Sequence, residues 1–384
     1  MDAVDLTKKL LALPTVSGKL LQWNDKEVLH ALLEQSGYEV LPLERAGDAS
    51  HYDSYHFLAT KGDAPIHLAF LSHYDVLPAG EGWVSYPYLP REENGTLFGC
   101  GVGVKAGLAA QLLAADELAE KGLRVSLFIS GDALTTSLGM LELLQKNAVP
   151  IDYALGGEPT SREKSGDTII VGRRGVIQGD ITLAGKAGHA ADTLAEDNVN
   201  HQLWKVLRIL SPTFYGETED FAASEFHLTG ITSGGKAYDQ VPASATVHFD
   251  ARLSPRLSNA EFISLLEKKV QHAAQKKFPA TVTLTKNISY YHTRDQPYCS
   301  LIAEAVTEIL GEAPAFSTAG EMSEARHFAE QHIPVVEIGV PARDLYGAEE
   351  HVAIAEIRRL QECYTHIGEK LLKCKQKELP EPTL

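Results

Sequence analysis

Long apolar runs are missing from this 384-residue chain. No stretch approaches the ~18 residues that a membrane span needs, so no transmembrane helix is expected. Basic charge is short as well: 35 Lys and Arg stand against 51 Asp and Glu, a formal net charge of −16. Nucleic acid and anionic membrane surfaces both select a positive field, and neither is expected as a partner. Cys100, Cys299, Cys363 and Cys374 are spread too widely for a CxxC metal site, and four cysteines are too few to staple a chain of this length. The opening residues, MDAVDLTKKLLALPTVSG, lack the basic start, apolar run and small-residue cleavage site of a secretory signal. A reducing, cytoplasmic setting is the expectation, with a small molecule as partner.

What is present is material for a large core, 44% hydrophobic residues against 22% charged. Helical spacing over residues 2–13 and 24–37 precedes strand-like runs at Tyr38–Leu43, His56–Thr60 and Ile66–Leu71. A helix is expected from after Gly107 to about Lys121. It is followed by a strand at Arg124–Ser130, a helix at Ser137–Lys146 and a strand at Tyr153–Gly156. Strands alternating with helices predict an α/β layered domain. Near residue 172 the pattern changes to strands of alternating character, VIQGDITLAGKAGHA, EFHLTGITSG and ATVHFDARLS, with helices at about 197–211 and 259–275. From about 290 the first pattern resumes, with helices at Ser300–Leu310, Ser323–His332 and Ala355–Lys373 and a strand at Pro334–Gly339. The expected organisation is α/β over residues 1–172 and 290–384, with a smaller α+β domain inserted at 173–289. The tail ELPEPTL is expected to fray.

His73 and Asp75 follow an apolar strand, where α/β sheets present ligands. One imidazole nitrogen there can hold a metal while the carboxylate orients the ring, although HxD alone is more often a plain turn. Glu158 also sits at a strand's carboxyl end, a position that suits a metal ligand or a solvated cap. The glycine-rich LFGCGVGVKAGLAA has the form of a loop entering a helix, so its backbone N–H groups can receive an anion. It carries no carboxylate, histidine or hydroxyl.

Taken in order, LSHYDVLP, GWVSYPYLPREENGTLFGCG, KAGLAA, SLFISGD, LGGEPT, RRGVIQGDITLAGKAGHAA, DQVPASATVHFDARLS and STAGEMSEARHFAEQHIPVVEIGV resemble the M20 family of zinc-dependent amidohydrolases. The likeness is nearest to acetylornithine deacetylases and succinyl-diaminopimelate desuccinylases and spans nearly the whole chain. It implies a catalytic domain of the zinc-aminopeptidase kind, an inserted dimerisation or lid domain and a homodimer formed through it. It also implies two zinc ions held by a bridging aspartate, two histidines and two further carboxylates, with a separate glutamate as base. His73 matches the first histidine, Asp75 the aspartate that orients it, and Glu158 the carboxylate sharing its metal. His189 matches the histidine given to the partner subunit's site. Arg326, with Gly320 in the same STAGEMSEAR segment, matches the region beside the substrate carboxylate, and Lys105 matches the lysine of the glycine loop.

The other positions depart from the pattern. Gly103 or Val104 stands where the bridging aspartate belongs. The family's DEE reads Asp132-Ala133-Leu134, so alanine replaces the base and leucine the next metal carboxylate. Tyr346 stands in place of the second histidine, Glu349 in place of the following asparagine, and Asp239 in place of the asparagine before Gln240-Val241-Pro242. A catalytic zinc lowers the pKa of its water from ~15.7 to about 7 and keeps three protein ligands; here the first metal retains His73 and Glu158, and the second retains none. Ala133 cannot supply the roughly 10²- to 10⁴-fold of a general base.

The expectation is therefore an M20-fold protein without binuclear zinc hydrolysis and without a required cofactor. It would keep a cleft for a ligand resembling an amino acid or acyl amino acid, for metal-independent chemistry or for binding. Two alternatives stand beside it. One is an N-acyl amino acid amidohydrolase with a single zinc in a site rebuilt from Cys100, Asp132, Glu321, Glu324, Glu350 or His351. The other is a non-catalytic regulatory or partner subunit. Lys105 could lend its charge near His73 and Glu158, or simply be solvated at the helix start; Arg326 could form a surface ion pair and His189 an ordinary turn.

Overall fold

The structure, a computed structural model, describes residues 1–18, 23–47, 53–210, 216–235, 237–274 and 277–375; the tail expected to fray lies outside them. The first segment runs α1 (Ala3–Leu11), α2 (Trp23–Gln35), β1 (Glu39–Arg45), β2 (Ser54–Lys61), β3 (His67–His73), β4 (Arg91–Glu93), β5 (Thr96–Phe98), α3 (Val102–Glu120), β6 (Arg124–Ser130), α4 (Gly139–Lys146), β7 (Tyr153–Gly156) and β8 (Thr168–Ile170). The next segment holds β9 (Gly175–Ala184), α5 (Val199–Leu210), β10 (Glu225–Ser233), β11 (Ser244–Leu253), α6 (Asn259–Ala273) and β12 (Ala280–Ile288), beside shorter pieces. The chain returns through α7 (Gln296–Leu310), β13 (Ala315–Ser317), α8 (Ala325–Glu330), β14 (Val335–Glu337), β15 (His351–Ala353) and α9 (Ile354–Lys375).

Two compact units result. One comprises Met1–Val171, His292–Ser317 and Ser323–Leu384, the other Gly172–Tyr291 with Thr318–Met322. Thr318–Met322 therefore leaves the larger unit within which the sequence reading had put it. The reason is local: Thr318 Oγ1 donates to the Asp220 carbonyl and Arg173 Nη1 to the Ala319 carbonyl at 2.7 Å. At Gly320, with φ +110°, a Cβ would meet Arg173 Nη1 at 1.9 Å, so the guanidinium needs glycine there.

The larger unit is built on an eight-stranded mixed sheet of order β1-β2-β6-β3-β7-β14-β8-β13. Its centre is parallel: β3 pairs with β6 and β7, and β14 pairs with β7. All seven residues of β3 are buried, as a strand covered on both faces requires. Its polar members are satisfied, His67 between the Pro150 carbonyl (2.8 Å) and Ser126 Oγ (2.7 Å), and Ser72 donating to Gln111. The smaller unit is a four-stranded antiparallel sheet, β10-β11-β9-β12, whose apolar residues form a core with α5 and α6. The strand β12 was readable in ATVTLTKNI, whose alternate residues are turned inward, but it was missed.

The parallel strands deliver their carboxyl ends to one edge. His73 is the last residue of β3 and is paired in register with Ser130, the last of β6, while Leu71 pairs with Gly156, the last of β7. The helix α3 lies close against that edge: a Cβ at Gly107 would meet the Gly157 carbonyl oxygen at 2.1 Å. Because the obstacle is backbone, Gly107→Ala is expected to destabilise by about 1–3 kcal/mol, the usual cost of overpacking. Gly80→Ala, where nothing lies within 4 Å, should leave the thermal melt unchanged; equal melting temperatures for the two variants would refute the close approach.

Candidate functional site

The turn after β3 places His73 and Asp75 side by side, and the turn after β7 brings Glu158 to the opposite ring nitrogen. His73 Nδ1 lies 2.9 Å from Asp75 Oδ1, and Nε2 lies 3.3 Å from Glu158 Oε1. Asp75 is buried and held from several sides. Ser17 Oγ donates to Oδ2 at 2.6 Å, and the Ala133 and Leu134 backbone N–H groups donate at 3.3 and 3.1 Å. Burial works against a charged His73, but the Glu158 and Asp75 carboxylates outweigh it and hold the imidazole well above its ordinary pKa. Burial likewise works against the Asp75 carboxylate, and the His73 charge with the donors just named holds it below its usual value. The two shifts describe one imidazolium between two carboxylates.

Other carboxyls near this edge have different work. Asp132 accepts from Thr136 Oγ1, Leu138 N (3.1 Å) and Gly139 N (3.2 Å), capping the amino end of α4. Glu324 is buried and accepts from Ser130 Oγ and, at 3.2 Å, from Ser137 Oγ. Burial pushes its carboxyl up to about 8, so near neutral pH it is mostly protonated.

Glu350 enters the start of α3. Gly101 is left-handed with φ 80° and offers no side-chain cap. Glu350 Oε2 accepts from Gly101 N and Oε1 from Gly103 N, both at 3.0 Å. The anion position at this helix start is thus taken by the chain's own carboxylate. The helix also begins at Val102, five residues before the expected break after Gly107, because the first turn has this external cap.

Lys105 is not solvated. It is 1% exposed and donates to the Leu13 carbonyl at 2.7 Å, and its charge acts on Glu350 and Cys100. Arg326 is buried, which removes the surface ion pair, and its Nη1 donates to the Ser323 carbonyl at 2.9 Å. In the smaller unit His189 is exposed and both ring nitrogens are engaged: Ala191 N donates to Nδ1 at 3.2 Å, and Nε2 lies 3.2 Å from Asp239 Oδ2.

Comparison with known proteins now decides the family. The profile of peptidase family M20/M25/M40 matches residues 69–370. The chain belongs to this family. A succinyl-diaminopimelate desuccinylase of Acidiphilium cryptum is 31% identical over 379 residues, covering 97% of this chain and 99% of the relative. Among solved structures, an M20 family metallo-carboxypeptidase from Sulfolobus solfataricus has a TM-score of 0.79 at 16% identity, covering 96% of this chain and 99% of that one. A dinuclear metal binding M20 peptidase of Bacillus subtilis has a TM-score of 0.68 at 14% identity, covering 97% and 98%. No described helix is long and apolar enough to cross a membrane.

The M20 metal pattern can be tested against these residues. His73 and Glu158 are spaced as two ligands of one ion could be, yet no group of three or more His, Cys, Asp or Glu among the described residues could hold a metal ion. Several candidates for rebuilding a site already have partners in the chain. Asp132 and Glu350 cap helices, burial raises the Cys100 thiol to about 11, and His351 Nδ1 lies 2.8 Å from the Glu349 carbonyl. Glu321 belongs to the smaller unit. Sequence reasoning missed the capping by Asp132 and Glu350 and the part of Ser17; only the two carboxylates had a signal, as acids in matched segments.

Asp132→Ala should lower stability by about 1–2 kcal/mol, as the loss of an N-cap does, read from the urea midpoint. Bound zinc, measured on the same samples, should not change; a loss of metal with the substitution would place Asp132 among ligands.

Proposed function

We propose that this M20 protein keeps a cleft for a ligand resembling an amino acid or acyl amino acid and has given up binuclear zinc hydrolysis. The observation that carries this reading is the donor set. Ala133, Leu134, Tyr346 and Gly103 or Val104 occupy the positions of base, metal carboxylate, second histidine and bridge. No group of three or more possible ligands gathers among the described residues. The desuccinylase names of the relatives support an N-acyl amino acid as ligand class. His73, Asp75, Arg326 and Lys105 are the groups of the larger unit assigned to the ligand; Gly320 and His189 belong to the smaller unit. A homodimer through residues 173–289 is part of the proposal; the exposed Leu228 and Ile231 on the edge strand β10 and Trp204 on α5 support it.

One observation favours a second reading, hydrolysis with a single zinc. His73 Nε2 and Glu158 Oε1, 3.3 Å apart, have the separation that two tetrahedral ligands at ~2.0–2.1 Å would give. The metal's part there would be to polarise a carbonyl and lower the pKa of water.

Elemental analysis of protein purified with zinc available, paired with hydrolysis and thermal-shift assays on N-acetyl and N-succinyl amino acids, separates the readings. The proposal expects substoichiometric zinc, no turnover above background and a melting shift with at least one acyl amino acid. One zinc with turnover that chelator abolishes selects the second reading, and two zinc ions per chain contradict the proposal. Absence of both turnover and ligand shift points to a regulatory or partner subunit.

A further inference from the structure

The loop that would carry the M20 family's second metal histidine is fastened to the start of α3 by side chains of its own. Arg343 and His351 close it with two backbone hydrogen bonds, N–H to carbonyl, at 3.0 and 3.1 Å. Within it Asp344, Tyr346 and Glu349 have φ of 52°, 63° and 63°, a conformation that costs non-glycine residues energy and persists only where surroundings impose it. Two consecutive glutamates impose it. Glu349 accepts from Val84 N at 2.9 Å and pairs with Arg91. Glu350, 2% exposed, accepts from Gly101 and Gly103 at the amino end of a 19-residue helix, where backbone dipoles favour an anion. Burial raises the Glu350 carboxyl above its usual value, while the Gly103 and Gly101 N–H groups and the Lys105 charge work the other way.

The space beneath the loop is nearly filled. Val76, Cys100, Val104, Leu134, Tyr346 and Glu350 line it, and the centre of a water-sized sphere has only ≈ 10 Å³ to move in, room for about one water. A carboxylate at position 103 cannot be added simply: a Cβ there would lie 2.9 Å from Ala342 Cβ, 3.3 Å from Pro159 Cβ and 3.4 Å from Glu350 Oε1.

We infer that Glu350 is a metal-independent latch: its carboxylate docks loop 343–351 on the α3 amino end and holds it there. The latch rests on the proposed loss of binuclear hydrolysis but can fail separately. The test compares full-length wild type, Glu350→Gln and Glu350→Ala by thermal melting in chelator and in zinc, by zinc content, and by limited proteolysis mapped to the cut site. Wild type should melt at one temperature in both conditions, and its loop should resist protease. Glu350→Gln, which keeps the shape and loses the charge, should melt about 3 °C or more lower and be cut first between residues 343 and 351. If Glu350→Ala does not fold, the milder Glu350→Gln decides. Unchanged melting and unchanged protection in Glu350→Gln would overturn the latch while leaving the function proposal standing. A rise in wild-type melting temperature with zinc that Glu350→Gln abolishes would make Glu350 a ligand and overturn both.

Discussion

A buried helix start carries N–H groups that its own turns cannot satisfy, and in α3 the residues at that start are glycines and valines with nothing to offer. The carboxylate of Glu350 answers this need from about 250 positions away in sequence, across two backbone N–H groups. Much else follows from that contact. It fixes the first turn of α3, and the same helix passes close enough to Gly157 that only glycine fits at 107. Gly157 leads directly to Glu158, so the position of the acid facing His73 depends on how α3 is seated.

Charge in this region is arranged in two separate groups. His73 stands between Asp75 and Glu158, and Glu350 lies within the influence of Lys105. In a buried place an unpaired charge is costly, and each group contains its own opposite charge. In the proposed account this chain uses imidazolium and ammonium groups of its own, and fills the remaining space with Val104, Leu134 and Tyr346. The backbone of the altered DEE segment still matters, since the N–H groups of Ala133 and Leu134 hold Asp75. In the proposed account the scaffold of the site outlasts the side chains of a metal site.

Much of this was legible in the sequence. The apolar runs at His67–His73 and Arg124–Ser130 give fully or nearly fully buried strands, and the ordered motifs lead to the M20 family. The meeting of His73, Asp75 and Glu158 also follows from three residues at strand ends. What sequence could not supply was the destination of each acid. Asp132, Glu324 and Glu350 are alike as letters, yet one caps α4, one is buried among serines and one caps α3; tertiary distance decides among these. The three-residue strands β4, β5, β8 and β13 escaped for another reason, being too short for any periodicity to register.

The central claim is that Glu350 itself, with no metal taking part, holds the α3 start and loop 343–351 together. Crystals grown with zinc and measured on both sides of the zinc absorption edge test it most directly. The account predicts no anomalous peak between the α3 start, Val104 and Tyr346, with Glu350 still bound to Gly101 and Gly103. A pair of peaks ~3.5–4 Å apart, one of them beside a displaced Glu350, would contradict it.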